Sequence, residues 1–193
     1  KVLHPHLLEQ PNLKERFLQE ARSAAKLDHP GIVKVYDFGK EGAVLYIVME
    51  FIQGVSLHQL LRDLQAGKQW VALDEAVGLT REVCLALDHA HRHGVIHRDI
   101  KPANIMRKPE PGNELPYRPV LTDLGLARFT DDKSEAFETT EQGAVLGTPT
   151  TMAPEQSDDP DSVDHRTDIY GLGCVFYWAL TGKRAFFAKS MAA

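Results

Sequence analysis

The chain has 193 residues, 43% of them hydrophobic and 25% charged, which excludes a disordered, collagen-like or disulfide-scaffolded protein and allows a domain with a real core. A formal charge of −5 provides no global basic field, so nucleic acid is a poor candidate ligand. Cys84 and Cys174 lie far apart within apolar helical patterns, predicting two free, buried thiols in a reducing compartment. No run of about 18 apolar residues suggests a membrane span, and no signal-peptide pattern opens the chain. Lys1 at the start and Ser190-Met191-Ala192-Ala193 at the end read as cut ends of a longer chain.

In chain order, Asn12 followed by Glu15 forms a capping box, and Phe17, Ala21, Ala24 and Ala25 give one apolar face, predicting a helix to about Lys26. After Asp28-His29-Pro30-Gly31, Ile32 to Phe38 and Val44 to Phe51 read as an antiparallel hairpin turning through Gly39-Lys40-Glu41-Gly42. Ser56 caps a helix that Gly67 stops. A longer helix starts at Asp74, carries Ala76, Thr80, Val83, Leu87 and Ala90 on one face, and ends at Gly94. Short strands at Asn104 to Met106 and Val120 to Leu121 flank a Pro-rich hairpin that reads as a long, mobile loop. From Asp123 to Glu155 there is little periodicity. Asp168 to Leu180 is apolar nearly all round and stops at Gly182, as expected of a central helix. Strands first and helices later is α+β organisation.

The chemistry concentrates at His97-Arg98-Asp99-Ile100-Lys101-Pro102-Ala103-Asn104, a loop between a helix and a strand. Phosphoryl transfer needs a carboxylate to hold the attacking hydroxyl, a cation beside the transferring group and an oxygen ligand for Mg²⁺. Asp99, Lys101 and Asn104 supply these three. Asp123, in Asp123-Leu124-Gly125, is a second carboxylate able to complete a metal site.

With Ala153-Pro154-Glu155 and Asp168-Ile169-Tyr170-Gly171-Leu172-Gly173 following in order, the sequence resembles a eukaryotic-like serine/threonine protein kinase of the bacterial kind, over essentially its whole length. The resemblance implies a two-lobed fold truncated at both ends, with residues 1–51 in the small strand-rich lobe and 52–193 in the larger helical one. It also implies transfer of the γ-phosphoryl group of ATP, with Mg²⁺, to Ser or Thr of a protein substrate. Asp99, Lys101, Asn104 and Asp123 are the implied catalytic residues, and Asn104 and Asp123 the metal ligands. Lys1, in Lys1-Val2-Leu3, would grip the α- and β-phosphates while paired with Glu20 on the first helix. Met49 would guard the adenine pocket, the backbone of Glu50 and Ile52 would face adenine, and Met106 would form its floor. Leu124 and His97 would join an apolar spine, with Asp168 anchoring the catalytic loop from below.

Arg98, placed before the catalytic Asp, implies control by activation-segment phosphorylation. Thr140 or Thr139 is the expected site, ahead of Ser134 and Thr130. Thr148 would hydrogen-bond Asp99 and Lys101. A kinase of this kind is expected in the cytoplasm or on the cytoplasmic face of a membrane, and a dimer would allow one copy to phosphorylate another. The competing readings are a pseudokinase scaffold without transfer and a small-molecule phosphotransferase. His89, His91, His93 and His97 are not expected to bind a metal, because their step of two scatters them around a helix. Two departures from the family pattern are Leu124 in place of Phe and Thr151 in place of Tyr.

Overall fold

A computed structural model of the chain describes residues 1–3, 13–42, 44–112, 115–124, 150–158 and 163–186. The first sheet contains β1 (Val2–Leu3), β2 (Val35–Glu41) and β3 (Val44–Met49), in the antiparallel order β1-β3-β2. Helix α1 (Leu13–Ala24) packs Phe17 and Ala21 against Leu45 and Ile47 of this sheet in a small core. The hairpin is longer than its sequence suggests. Gly39, Lys40 and Glu41 pair with Tyr46, Leu45 and Val44, because each backbone group finds a ladder partner there, and only residues 42–43 remain between the strands, with Gly42 left-handed. A Cβ on Gly39 would stand 2.9 Å from the Tyr46 hydroxyl, so glycine lets that side chain cross the strand.

The expected strand start at Ile32 is displaced for a different reason. Ile32 bridges Leu121 in parallel, the Val33 amide donates to Leu121 at 2.9 Å, and the Leu121 amide donates to Gly31 at 2.8 Å. The turn after α1 is thereby stitched to the second sheet. That sheet contains β4 (Val55–Ser56), β5 (Ile105–Pro109) and β6 (Tyr117–Leu121), in antiparallel order. Its hairpin strands reach Pro109 and Tyr117, so the connection expected to be long spans only residues 110–116. Phe51, expected at a strand end, lies beyond β3 and is 84% exposed.

Helix α2 (Leu57–Ala66) begins where Ser56 accepts the Gln59 amide at 3.2 Å and ends at Gly67. Helix α3 (Leu73–Arg92) buries Ala76, Leu79, Val83, Ala86, Leu87 and Ala90. After the short α4 (Pro154–Asp158), α5 (Arg166–Thr181) buries Leu172, Val175, Trp178 and Ala179 and closes on left-handed Gly182. Ile169 and Tyr177 on α5 are about half exposed, so the helix is not covered all round by the described residues. The larger core joins α2, α3, α5 and both hairpin strands, and Met49 packs on both cores. The cysteine expectation is corrected in one respect. Both thiols are free, but Cys84 is exposed on the outer side of α3 whereas Cys174 is buried.

Candidate active site

The loop between α3 and β5 is held from beneath by a buried carboxylate. Asp168, 1% exposed, accepts the His97 amide at 2.9 Å, the Arg98 amide at 2.7 Å and the His91 ring at 2.7 Å. Burial alone would raise this carboxyl, but the His91 hydrogen bond, the His97 ring and the two amides outweigh it and hold it below its ordinary value. His97, fully buried, receives the Asp99 amide on Nδ1 at 3.3 Å, so its Nε2 carries the hydrogen donated to the Thr122 carbonyl at 2.9 Å. One ring thus joins the catalytic loop to the strand end that carries Asp123.

Above this base, the sequence-predicted residues converge. Lys101 Nζ lies 3.0 Å from Asp99 Oδ2, and Asn104 Nδ2 donates to both Asp99 Oδ2 and the Asp99 carbonyl at 2.8 Å. Both carboxamide hydrogens of Asn104 are thereby committed, which leaves its oxygen as a neutral, hard ligand. Asn104 sits in the 3₁₀ turn Pro102–Asn104, and its carbonyl accepts the Thr122 amide at 3.0 Å, so it is fixed to the residue before Asp123. Asp123 and Arg98 have left-handed φ values of 64° and 66°, a costly conformation for non-glycine residues that persists where neighbours over-determine it.

The expected Lys1–Glu20 ion pair is not formed. Lys1 Nζ lies 2.9 Å from Asp123 Oδ2, and Glu20 Oε1 is 3.3 Å from a guanidinium nitrogen of Arg98. Each of the four charges keeps an opposite partner, so local neutrality is preserved while α1 is tied to the 97–104 loop instead of to Lys1. Lys1 itself is well placed. Its carbonyl accepts the Ile47 amide at 2.9 Å, and its own nitrogen donates back to Ile47 at 2.8 Å. Arg98 Nε is buried without a hydrogen-bond partner among the described residues.

Along the hinge, the Glu50 amide is spent on the Lys34 carbonyl at 2.8 Å, so only the Glu50 carbonyl remains for a ligand. The Glu50 carboxylate binds Lys108 Nζ at 2.7 Å. Ile52, buried, makes no amide hydrogen bond among the described residues, and Met106 packs against the large core. The oxygen donors of Asn104 and Asp123 are of the hard kind that suits a divalent cation, and the hinge offers one acceptor and one donor to a ligand. Thr139, Thr140 and Thr148 lie outside the described residues, as do Ser134 and Thr130. Ala153-Pro154-Glu155 leads into α4, where Glu155 accepts the Thr167 hydroxyl at 2.9 Å.

Three contributors were not singled out from sequence as site residues. His91 shares Asp168, Lys108 holds the Glu50 side chain, and Gln156 bridges Ala153 to Arg98. Gln156 had a signal, since it directly follows Ala153-Pro154-Glu155. The other two emerge only from tertiary contacts.

The profile of the protein kinase domain family matches residues 4–193. The chain is 40% identical over 194 aligned positions to serine/threonine-protein kinase PknB of Mycolicibacterium smegmatis, covering 98% of this chain and 29% of PknB. It is 40% identical over 193 positions to serine/threonine-protein kinase pkn3 of Myxococcus xanthus, covering 98% of this chain and 34% of that protein. The chain therefore spans about a third of the length of these relatives. Among solved structures, the PknI kinase domain of Mycobacterium tuberculosis superposes with a TM-score of 0.74 at 28% identity, over 98% of this chain and 65% of PknI's.

Proposed function

Since the chain belongs to the protein kinase domain family, we propose that it transfers the γ-phosphoryl group of Mg-ATP to serine or threonine hydroxyls of protein substrates. The strongest support is the closed set around Asp99, where one carboxylate is bracketed by Lys101 and Asn104 on a base fixed by Asp168. In this reading Asp99 orients the incoming hydroxyl and takes its proton, while Lys101 offsets charge on the transferring group. Asn104 and Asp123 would hold Mg²⁺, which when bound neutralises phosphate charge. Lys1 would leave Asp123 for the phosphates and for Glu20. Met49, Met106 and the backbone of Glu50 and Ile52 would enclose adenine. Most of the acceleration then comes from positioning and fixed charge.

The exchanged ion pairs favour a regulated enzyme. Glu20 is held by Arg98 rather than by Lys1, and Arg98 Nε, without a hydrogen-bond partner among the described residues, is a donor suited to an anion. Phosphorylation of Thr140 or Thr139, followed by docking of that phosphate on Arg98, would free Glu20. One copy phosphorylating another would supply it. Residues 1–51 and 52–193 would form the parts of the two lobes, and Thr148 would join Asp99 and Lys101. No described helix is long and apolar enough to cross a membrane. The kinase would act in the cytoplasm, free or on a membrane's inner face.

The test is incorporation of labelled γ-phosphate into a Ser/Thr protein substrate by the full-length protein, with Asp99→Asn alongside. The expected outcome is metal-dependent transfer by the wild type and a loss of about 10²- to 10⁴-fold in the variant. A wild-type protein inert towards proteins would reject the reading.

A further inference from the structure

We propose that Gln156 is a positioning residue for phosphoryl transfer, clamping the segment that begins α4 to the peptide that carries Asp99. The inference rests on the kinase reading above. Gln156 is partly buried in α4. Its carboxamide oxygen accepts the Ala153 amide at 3.0 Å, and its carboxamide nitrogen donates to the Arg98 carbonyl at 2.8 Å. One end of the side chain therefore stays within its own segment and the other crosses to the catalytic loop.

The contact falls where orientation matters most. The Arg98 carbonyl and the Asp99 amide belong to one planar peptide unit. Gln156 holds its oxygen and His97 Nδ1 accepts its hydrogen, with Asp99 N to His97 Nδ1 at 3.3 Å. Rotation of that plane would swing the Asp99 side chain away from Lys101 and Asn104. The plane follows a residue at φ 66°, a conformation that needs external support. Asp168 supplies that support on the amide side of Arg98, and Gln156 supplies it on the carbonyl side.

The surrounding packing shows how closely the two segments meet. A Cβ placed on Gly171 of α5 would lie 3.1 Å from the Ile100 carbonyl and 3.3 Å from the Thr151 carbonyl. Catalytic loop and α4 segment thus converge on one glycine, and Gln156 is a hydrogen-bonded link across that junction among the described residues.

The experiment compares Gln156→Met and Gln156→Glu with wild type in the full-length protein. Steady-state kinetics on a Ser/Thr substrate are read together with hydrogen exchange of residues 97–101 and thermal unfolding. Methionine keeps the length and loses both bonds, whereas glutamate keeps the acceptor for Ala153 and loses the donor to Arg98. The expected result is that kcat falls about 10- to 100-fold in both variants, KM for Mg-ATP stays within about twofold, and exchange at 97–101 quickens. If Gln156 merely caps α4, glutamate will match wild type in kcat and exchange, and the proposal is overturned. Parallel losses in ATP affinity and unfolding temperature would also overturn it, since they mark general destabilisation. An inert wild type would reject the kinase reading alone. The exchange rates at 97–101 would still decide the clamp, with wild-type rates in both variants refuting it.

Discussion

The catalytic loop and the Lys1–Glu20 region carry similar charges, yet they are held in opposite ways. Residues 97–104 rest on Asp168, a carboxylate 1% exposed that accepts three donors, and on the fully buried His97. Lys1, Glu20, the Arg98 guanidinium and Asp123 are instead joined by two single ion pairs between partly exposed side chains. Breaking a buried, multiply bonded group leaves polar atoms without partners, at about 1–3 kcal/mol each. Exchanging one exposed ion pair for another costs about 1 kcal/mol or less. On the proposed reading the lower region would stay in place while the upper region re-pairs, which would separate the machinery of transfer from its control.

The comparison breaks most readily at Asp168. Asp168→Ala strands the His97 and Arg98 amides and the His91 ring, so we expect a loss of about 3–5 kcal/mol in denaturant unfolding. Transfer should fall by more than about 10²-fold, because the Asp99 peptide loses its base. The same group gives a pH signature. Its carboxyl is held below the ordinary value, so its stabilisation is complete above about pH 4 and drains away as pH falls through the lowered folded value. Acid unfolding of Asp168→Asn should lack that component.

Glu20→Gln sharpens the other side. It weakens the contact with Arg98 and deprives Lys1 of the partner proposed for its active state, so the fully phosphorylated protein should lose about tenfold in kcat/KM for ATP while unfolding moves by less than about 1 kcal/mol. A drop in stability as large as that of Asp168→Ala would place Glu20 in the permanent framework.

The smallest expected effect lies behind the site. The rings of His29 and His93 flank His89 at centroid distances of 5.3 and 4.4 Å. Burial, then the His89 and Arg118 charges, lower the His29 pKa against an opposing pull from Glu82. The unfolded chain binds that proton more readily, so stability is full above about pH 6.5 and declines as pH falls below it. His29→Gln should flatten this decline in unfolding midpoints measured between about pH 5 and 7.

What was legible in the sequence was whatever local chemistry determines. Ser56 and Gly67 bounded α2, Gly182 closed α5, and the spacing of Asp99, Lys101 and Asn104 carried their convergence. Features set by distant partners were not legible. Ile32 left its expected strand because Leu121 offered a better ladder, and β4 needed β5 before two residues could form a strand. The exposure of Cys84 depended on which side of α3 the core covers. The ion pairs failed for a related reason. Lys1, Glu20, Arg98 and Asp123 were each recognisable as charged site residues, but opposite charges pair by proximity, and no spacing rule decides between two neutral arrangements.

The most direct measurement is the activity of unphosphorylated and phosphorylated full-length protein in wild type and in Arg98→Ala, which removes the guanidinium but keeps the backbone bonds to Asp168 and Gln156. Release of Glu20 should raise the unphosphorylated activity about five- to tenfold, the weight of roughly 1 kcal/mol, and phosphorylation should then add little. An Arg98→Ala protein with unraised basal activity and full stimulation by phosphorylation would contradict the account.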